Sequence, residues 1–310
     1  MAESLTPPEI LMRARLGRST KANQELTRNL EDIGWPAITD YELFRLVQVL
    51  YRSGKKLNLR HDHASLDDFK RLRRQLRNLT MIRADPNYVS YANRILTNSD
   101  RPAEEVCCVI DPFCYISHLS AMQRYGLTNR RPEALFLTTA ASSVGKKLIS
   151  EKMKKDHDRD IISHLDDIIP LRLVHHPRTV RGRLLDEFRT NYMGKKIKIR
   201  GSLARITTIG QTFVDMLDQP NRCGGMRHVV DVWQEHGRTY LDEIIPLIDE
   251  ARTTITKMRA GYLLTEVLGL DDPRVSAWKR FAMRGGSRVL DPSKPYAPNY
   301  SEEWKISINV

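Results

Sequence analysis

Lys70, Arg71, Arg74 and Arg77 lie together in one short segment, SLDDFKRLRRQLRN (Ser65–Asn78). Leu66, Phe69, Leu72, Leu76 and Leu79 recur there at spacings of three and four, the stripe of an amphipathic helix. At about 100° per residue the four cations fall on the face away from that stripe, with Arg73 at its edge. Cations held in a row on a rigid helix are chemistry for phosphates, and for base edges when they reach past them. Ser65, with Asp68 three residues on, is a capping box that places the helix start. Asp85-Pro86-Asn87 then reads as a turn inside a hairpin, Met81–Tyr91. A basic helix packed by its apolar side and followed by a hairpin is the arrangement of a winged helix-turn-helix, with the helix in the major groove. Arg83, Asn87 and Tyr88 are the expected wing contacts. No acidic residue stands four residues after any of these arginines, so a salt-bridged surface is not expected.

A second basic stretch is richer. Between Arg172 and Arg205 lie Arg178, Arg181, Arg183, Arg189, Lys195, Lys196, Lys198 and Arg200, against Asp186 and Glu187. Arg181, Arg183, Lys195, Lys196, Lys198 and Arg200 are the candidates for a second surface, facing nucleic acid or an acidic protein. The first 100 residues carry 17 Lys and Arg against 12 Asp and Glu, so most of the net +12 lies beyond the basic helix.

Candidates for catalysis are thin. Gly201-Ser202 with Asp215 superficially has the glycine-serine and aspartate signature of nucleotidyltransferases. That chemistry needs two carboxylates two apart on a strand, whereas Asp215 and Asp218 are three apart in a helical stretch. Glu303-Trp304-Lys305 has the E-x-K spacing of Mg²⁺-dependent nuclease strands, a common pattern by chance. His61-x-His63 and His175-His176 lack a third ligand at a recognisable spacing, so no metal site is expected. Cys107, Cys108, Cys114 and Cys223 form no C-x-x-C pair and read as buried free thiols. No catalytic residue, cofactor or metal is therefore expected.

The elements that must position the basic helix come before and after it. Ala22–Gly34 reads as a helix stopped by Gly34 and Pro36, and Tyr41–Gly54 as a second with Leu43, Leu46, Val47 and Leu50 as its stripe. The expected division is an N-terminal extension over 1–35, a winged helix-turn-helix over 36–97 and a mixed domain over 98–310, an α+β protein. In the last part, Ala134–Thr139, Ile168–Val174 and Lys195–Ile199 read as strands. Ser117–Tyr125, Ile209–Leu217, Met226–His236 and Thr239–Leu247 read as helices, and Asp249–Leu270 as one or two more. No apolar run approaches the ~20 residues of a membrane span. The N-terminus has no signal-peptide pattern, so a cytoplasmic protein is expected.

Tyr115–Leu127 (YISHLSAMQRYGL), Ala134–Thr139, Arg205–Gly225 (RITTIGQTFVDMLDQPNRCGG) and Arg259–Gly269 (RAGYLLTEVLG) follow one another in the later part. In this order they resemble the AbiEi family of abortive-infection antitoxins. Arg284–Pro292 and Trp304–Asn309 are similar to the family's ending. The resemblance implies a non-enzymatic regulator that joins an N-terminal winged helix to a C-terminal antitoxin domain. It also implies two activities: repression of its own promoter through inverted repeats, and antagonism of a nucleotidyltransferase-like toxin without a stable complex. The extension to residue 35 and a helical insertion at Ser143–His164 are longer than the family leads one to expect. The basic helix has no residue-by-residue counterpart in it. The rival readings are a stand-alone transcriptional regulator with a sensing or dimerisation domain, and a Mg²⁺-dependent nuclease.

Overall fold

A computed structural model describes residues 14–59, 63–157, 168–283 and 288–310. In chain order the elements begin with α1 (Lys21–Ile33), β1 (Ala37–Thr39), α2 (Asp40–Arg52), α3 (Leu66–Asn78), β2 (Ile82–Ala84), β3 (Ala92–Ile95) and α4 (Ala103–Ile110). There follow β4 (Tyr115–Ile116), α5 (His118–Arg124), β5 (Leu135–Ala140), α6 (Ser142–Asp156), β6 (Thr179–Val180), β7 (Arg183–Thr190), β8 (Lys196–Lys198) and β9 (Arg205–Thr207). The chain ends with α7 (Ile209–Asp218), α8 (Met226–His236), α9 (Leu241–Asp249), α10 (Thr254–Tyr262), α11 (Pro273–Ser276), β10 (Tyr300–Ser301) and β11 (Ile306–Ser307). The protein is α+β. No helix among the described residues is long and apolar enough to cross a membrane.

Two compact units divide the chain. The first is Met1–Cys114 with Ala140–Arg183 and Gly201–Ala204; the second is Tyr115–Thr139, Leu184–Arg200 and Arg205–Val310. Neither follows a cut at 35 or 97, and side chains explain why. Leu26 and Leu30 of α1 join the same core as Leu43, Phe44 and Val47 of α2 and Phe69, Leu72 and Leu76 of α3. Phe44 and Phe69 meet edge to face at 5.7 Å. Met153 of α6 and Ile168 belong to that core too. Lys152 also pairs with Glu42 of α2 at 3.1 Å.

Local signals set the first unit's helices. Thr20, Thr39 and Ser65 each turn a hydroxyl onto a backbone N–H of the first turn that follows. Gly34 ends α1 at φ 65°, a left-handed conformation that costs glycine little. The strands order as β1-β3-β2, with Ile82 opposite Ile95 and Ala37 opposite Arg94. Two expectations shift here. β1 lies in the Pro36–Thr39 link, too short for any periodicity to show. The hairpin's second strand is Ala92–Ile95, so Tyr88–Tyr91 belongs to its connection.

Within the second unit the sheet runs β7-β5-β4-β9-β8, β4 being antiparallel to β5 and parallel to β9. Its core holds Phe213, Trp233, Ile244, Trp278 and Trp304. Two glycines of the resembling phrases allow close approach. A Cβ on Gly210 would stand 2.0 Å from the Glu243 carbonyl oxygen, and one on Gly261 would stand 2.2 Å from the Trp304 ring. Ile168–Val174 forms no strand. Ile168, Leu171 and Val174 are buried, which accounts for their apolar look. Val106–Ile110 is the mostly buried second half of α4. β7 carries Arg183, Asp186, Glu187 and Arg189 and buries no residue fully, so no apolar pattern marks it in the sequence.

Candidate nucleic-acid interface

Helix α3 buries Phe69, Leu72 and Leu76 and exposes Lys70, Arg74 and Arg77. Its N-terminus is secured by Ser65, whose hydroxyl accepts from the Asp68 N–H at 3.1 Å and donates to the Asp68 carboxylate at 2.9 Å. The expectation of no acidic partners needs correcting. Lys70 pairs with Asp67 at 3.2 Å and Arg71 with Asp68 at 2.8 Å, both acids three residues earlier rather than four later. Arg73 pairs with Asp40 at the start of α2 and lies over the Phe69 ring at 5.2 Å. Arg71 and Arg73 therefore hold the helix in place. Lys70 keeps a fully wet pair of little worth. Arg74 has no ion pair among the described residues and is exposed.

Arg77 joins the helix to the sheet. Its Nε and Nη2 donate to Asn93 Oδ1 at 3.1 and 2.6 Å, and Asn93 Nδ2 donates to Asp40 Oδ1 at 3.0 Å. Asn93 is neutral, so the Arg77 charge stays uncompensated by it. On β2, Arg83 is exposed and stands opposite Arg94, whose charge is met by Asp100 at 3.0 Å.

The expected wing tip turns inward. Tyr88 is 1% exposed, and its hydroxyl lies 2.7 Å from His176 Nδ1 and 3.4 Å from Cys107 Sγ. It therefore cannot touch a groove. Asn87 Oδ1 accepts from the Arg181 backbone N–H at 3.1 Å and from Arg181 Nη1 at 2.6 Å. Of the three wing candidates, Arg83 alone presents a cation.

No protein-family model matches this chain, and no curated protein matches it.

The second basic stretch scatters its charges. Arg181 grips Asp85 through Nη1 and Nη2 at 3.1 and 2.6 Å and reaches Asp100 through Nε at 3.0 Å. Asp85 has no exposed side-chain surface. Lys195 pairs with Glu250 at 2.9 Å, and Lys196 sits 5.0 Å over the Tyr115 ring. Lys198, Arg200 and Arg183 are exposed. The first two of these, with Lys195 and Lys196, belong to the second unit, whereas Arg181 and Arg183 belong to the first. One continuous run in sequence thus supplies two separate sets of groups.

The catalytic candidates disperse as well. Trp304 is buried, while Glu303 pairs with Lys279 at 2.6 Å and Lys305 with Glu302 at 2.9 Å. These residues form a turn, not the nuclease strand. Ser202 donates to Glu105 at 2.9 Å in the first unit, whereas Asp215 and Asp218 lie on α7 in the second. Burial raises the Asp215 carboxyl to about 7, against the opposing hydrogen bond from Gln211, with Asp218 adding to the rise. It is a helix-face carboxyl held by Gln211 Nε2 at 3.0 Å.

Sequence reasoning missed two buried clusters. Ser117 Oγ lies 2.8 Å from His118 Nδ1 and accepts from Thr138 at 2.8 Å. Ser117 has no exposed surface, so it offers no nucleophile to a substrate. The other joins His176 to Asp111 and Cys114 across a separation no spacing rule would connect. Burial opposes a charge on His176, but Asp111 and Cys107 outweigh it and raise its pKa to about 10. His61 lies outside the described residues and His63 is exposed. All four cysteines are buried free thiols, as expected.

Proposed function

We propose that the first unit binds duplex DNA as a winged helix-turn-helix. In this reading α1, α2 and α3 form the helical part, and β2 and β3 form the wing. The observation that carries it is one helix that buries Phe69, Leu72 and Leu76 while presenting Lys70, Arg74 and Arg77, followed at once by a hairpin presenting Arg83. α3 enters the major groove, and Arg74 with Lys70 reaches the bases or phosphates. Arg77 contributes its outer edge while its inner edge holds Asn93. Arg83 meets the flanking backbone, as a wing does. The testing experiment is a fluorescence-anisotropy titration of the whole chain on the DNA upstream of its own coding sequence. Arg74→Ala should cost roughly 1–3 kcal/mol if Arg74 reads a base, and should lower the salt slope by about one if it holds a phosphate.

The resemblance of the later part to abortive-infection antitoxins supports the wider reading of an autorepressing antitoxin, with a nucleotidyltransferase-like toxin as its target. Arg205–Gly225 is the phrase that carries that likeness. Co-expression with the neighbouring gene tests it. Arg74→Ala should release the promoter yet still protect the cell when both genes are driven from foreign promoters. Loss of protection there would leave a stand-alone regulator as the better reading.

A further inference from the structure

Asp111, Cys114 and His176 bring a carboxylate oxygen, a thiol sulfur and an imidazole nitrogen within 4.8 Å of one another. All three belong to the first unit. His176 comes from the stretch 168–178, which forms neither helix nor strand, yet its side chain is 1% exposed. Its Nδ1 faces the Tyr88 hydroxyl at 2.7 Å, and its Nε2 is buried with no hydrogen-bond partner. An unsatisfied buried nitrogen is costly and asks for a reason.

Distances supply one. The Asp111 Oδ2 stands 3.6 Å from that Nε2, too far for a hydrogen bond. Two such ligands on one tetrahedral zinc, at bond lengths of ~2.0–2.1 Å, would lie roughly 3.3 Å apart. The Cys114 thiol also lies 3.4 and 3.5 Å from the carbonyl oxygens of Cys107 and Asp111, weak contacts that a thiolate would relinquish.

We propose that Asp111, Cys114 and His176 hold a zinc ion in a buried structural site. The donor set is mixed nitrogen, sulfur and oxygen, which suits zinc and not the all-oxygen shells of calcium or magnesium. The three side chains are buried, so a substrate has no route to the ion, whose work is structural. Tyr88 accepts from Nδ1–H and so turns the Nε2 lone pair toward the ion, the part a hydrogen-bonded neighbour plays at zinc histidines. The ion would fasten the segment 168–178 to the turn that follows α4. The same Tyr88 lies in the connection of the β2–β3 hairpin, so the metal would also set the base of that hairpin.

The test uses the full chain. Zinc per chain is measured by mass spectrometry after purification. The stripped protein is then titrated with Co²⁺, which reports tetrahedral thiolate ligation through visible d–d bands and a near-ultraviolet sulfur-to-cobalt band. The wild type should show both bands, saturating at one ion per chain, and should lose thermal stability on chelation. Cys114→Ser and His176→Ala should lose the sulfur band or its tetrahedral intensity, and chelation should no longer shift their melting. Cys223→Ser, in the second unit, should behave as wild type. A wild-type chain without zinc and without cobalt bands would overturn the site, leaving a plain His176–Asp111 ion pair. Bands that survive both substitutions would overturn it equally.

Discussion

Helix α3 and the stretch 172–205 are both rich in cations, and each pairs some of them and leaves others exposed, on different scaffolds. On α3 the apolar stripe fixes which face is wet, so Lys70 and Arg74 stay exposed, and Arg77 does too while it holds Asn93. In 172–205 the backbone alternates between strand and loop and crosses from one unit to the other. There Arg181 turns inward to Asp85 and Asp100, Lys195 pairs with Glu250, and Lys196 lies on Tyr115. A periodic element keeps its charges on one face, whereas a run of strand and loop disperses them.

The sharpest way to break that contrast is Arg181→Ala. Asp85 has no exposed side-chain surface and would be left as a buried charge without its main partner. Removing one member of such a pair costs about 3–5 kcal/mol. A urea titration should show that loss, with DNA binding by the remaining folded fraction unchanged.

A pH titration sharpens the comparison from the second unit, where a buried group is neutralised rather than paired. Burial, with Arg222 nearby, lowers His118 from 6.5 to about 3. Between those values the unfolded chain binds a proton that the folded one does not. His118's contribution to stability should therefore fall as pH drops from 6.5, by up to about 1.4 kcal/mol per pH unit, against the opposite contribution of Asp215, which is raised to about 7. His118 sits at φ 51°, a conformation Asn tolerates. In melts across the same range, His118→Asn should therefore gain stability relative to the wild type as pH falls.

Ser65→Ala removes the cap of α3 and should cost about 1 kcal/mol. Lys198→Ala with Arg200→Ala should be the mildest. Both are exposed, so stability should move by less than ~0.5 kcal/mol. DNA affinity should change little beyond the salt-dependent background. A large loss on this pair would show that the second unit carries part of the DNA surface.

Much of this was legible in advance. Capping at Ser65, the stripe Leu66–Leu79 and the whole of Met226–His236 come from local rules that tertiary packing left in place. What stayed hidden depended on distant partners. Tyr88 looked like a wing aromatic because nothing near it in sequence tells of His176 and Cys107. Arg181 looked like surface because Asp85 and Asp100 lie far upstream. His176 looked solitary for the same reason, Asp111 and Cys114 reaching it only through folding. The burial of Ile168, Leu171 and Val174 without a strand shows the converse limit, since an apolar run reports burial more surely than conformation.

The central claim, that the outward face of α3 addresses DNA, is tested most directly by one anisotropy series. The wild type and the Lys70→Ala, Arg74→Ala double variant are titrated with their own upstream duplex and with a scrambled duplex at several salt concentrations. Neither side chain holds the fold, so melting should be within ~0.5 kcal/mol of wild type. The account predicts affinity for the upstream duplex weakened at least tenfold and a shallower salt slope. Equal affinity of the two proteins for both duplexes would contradict it.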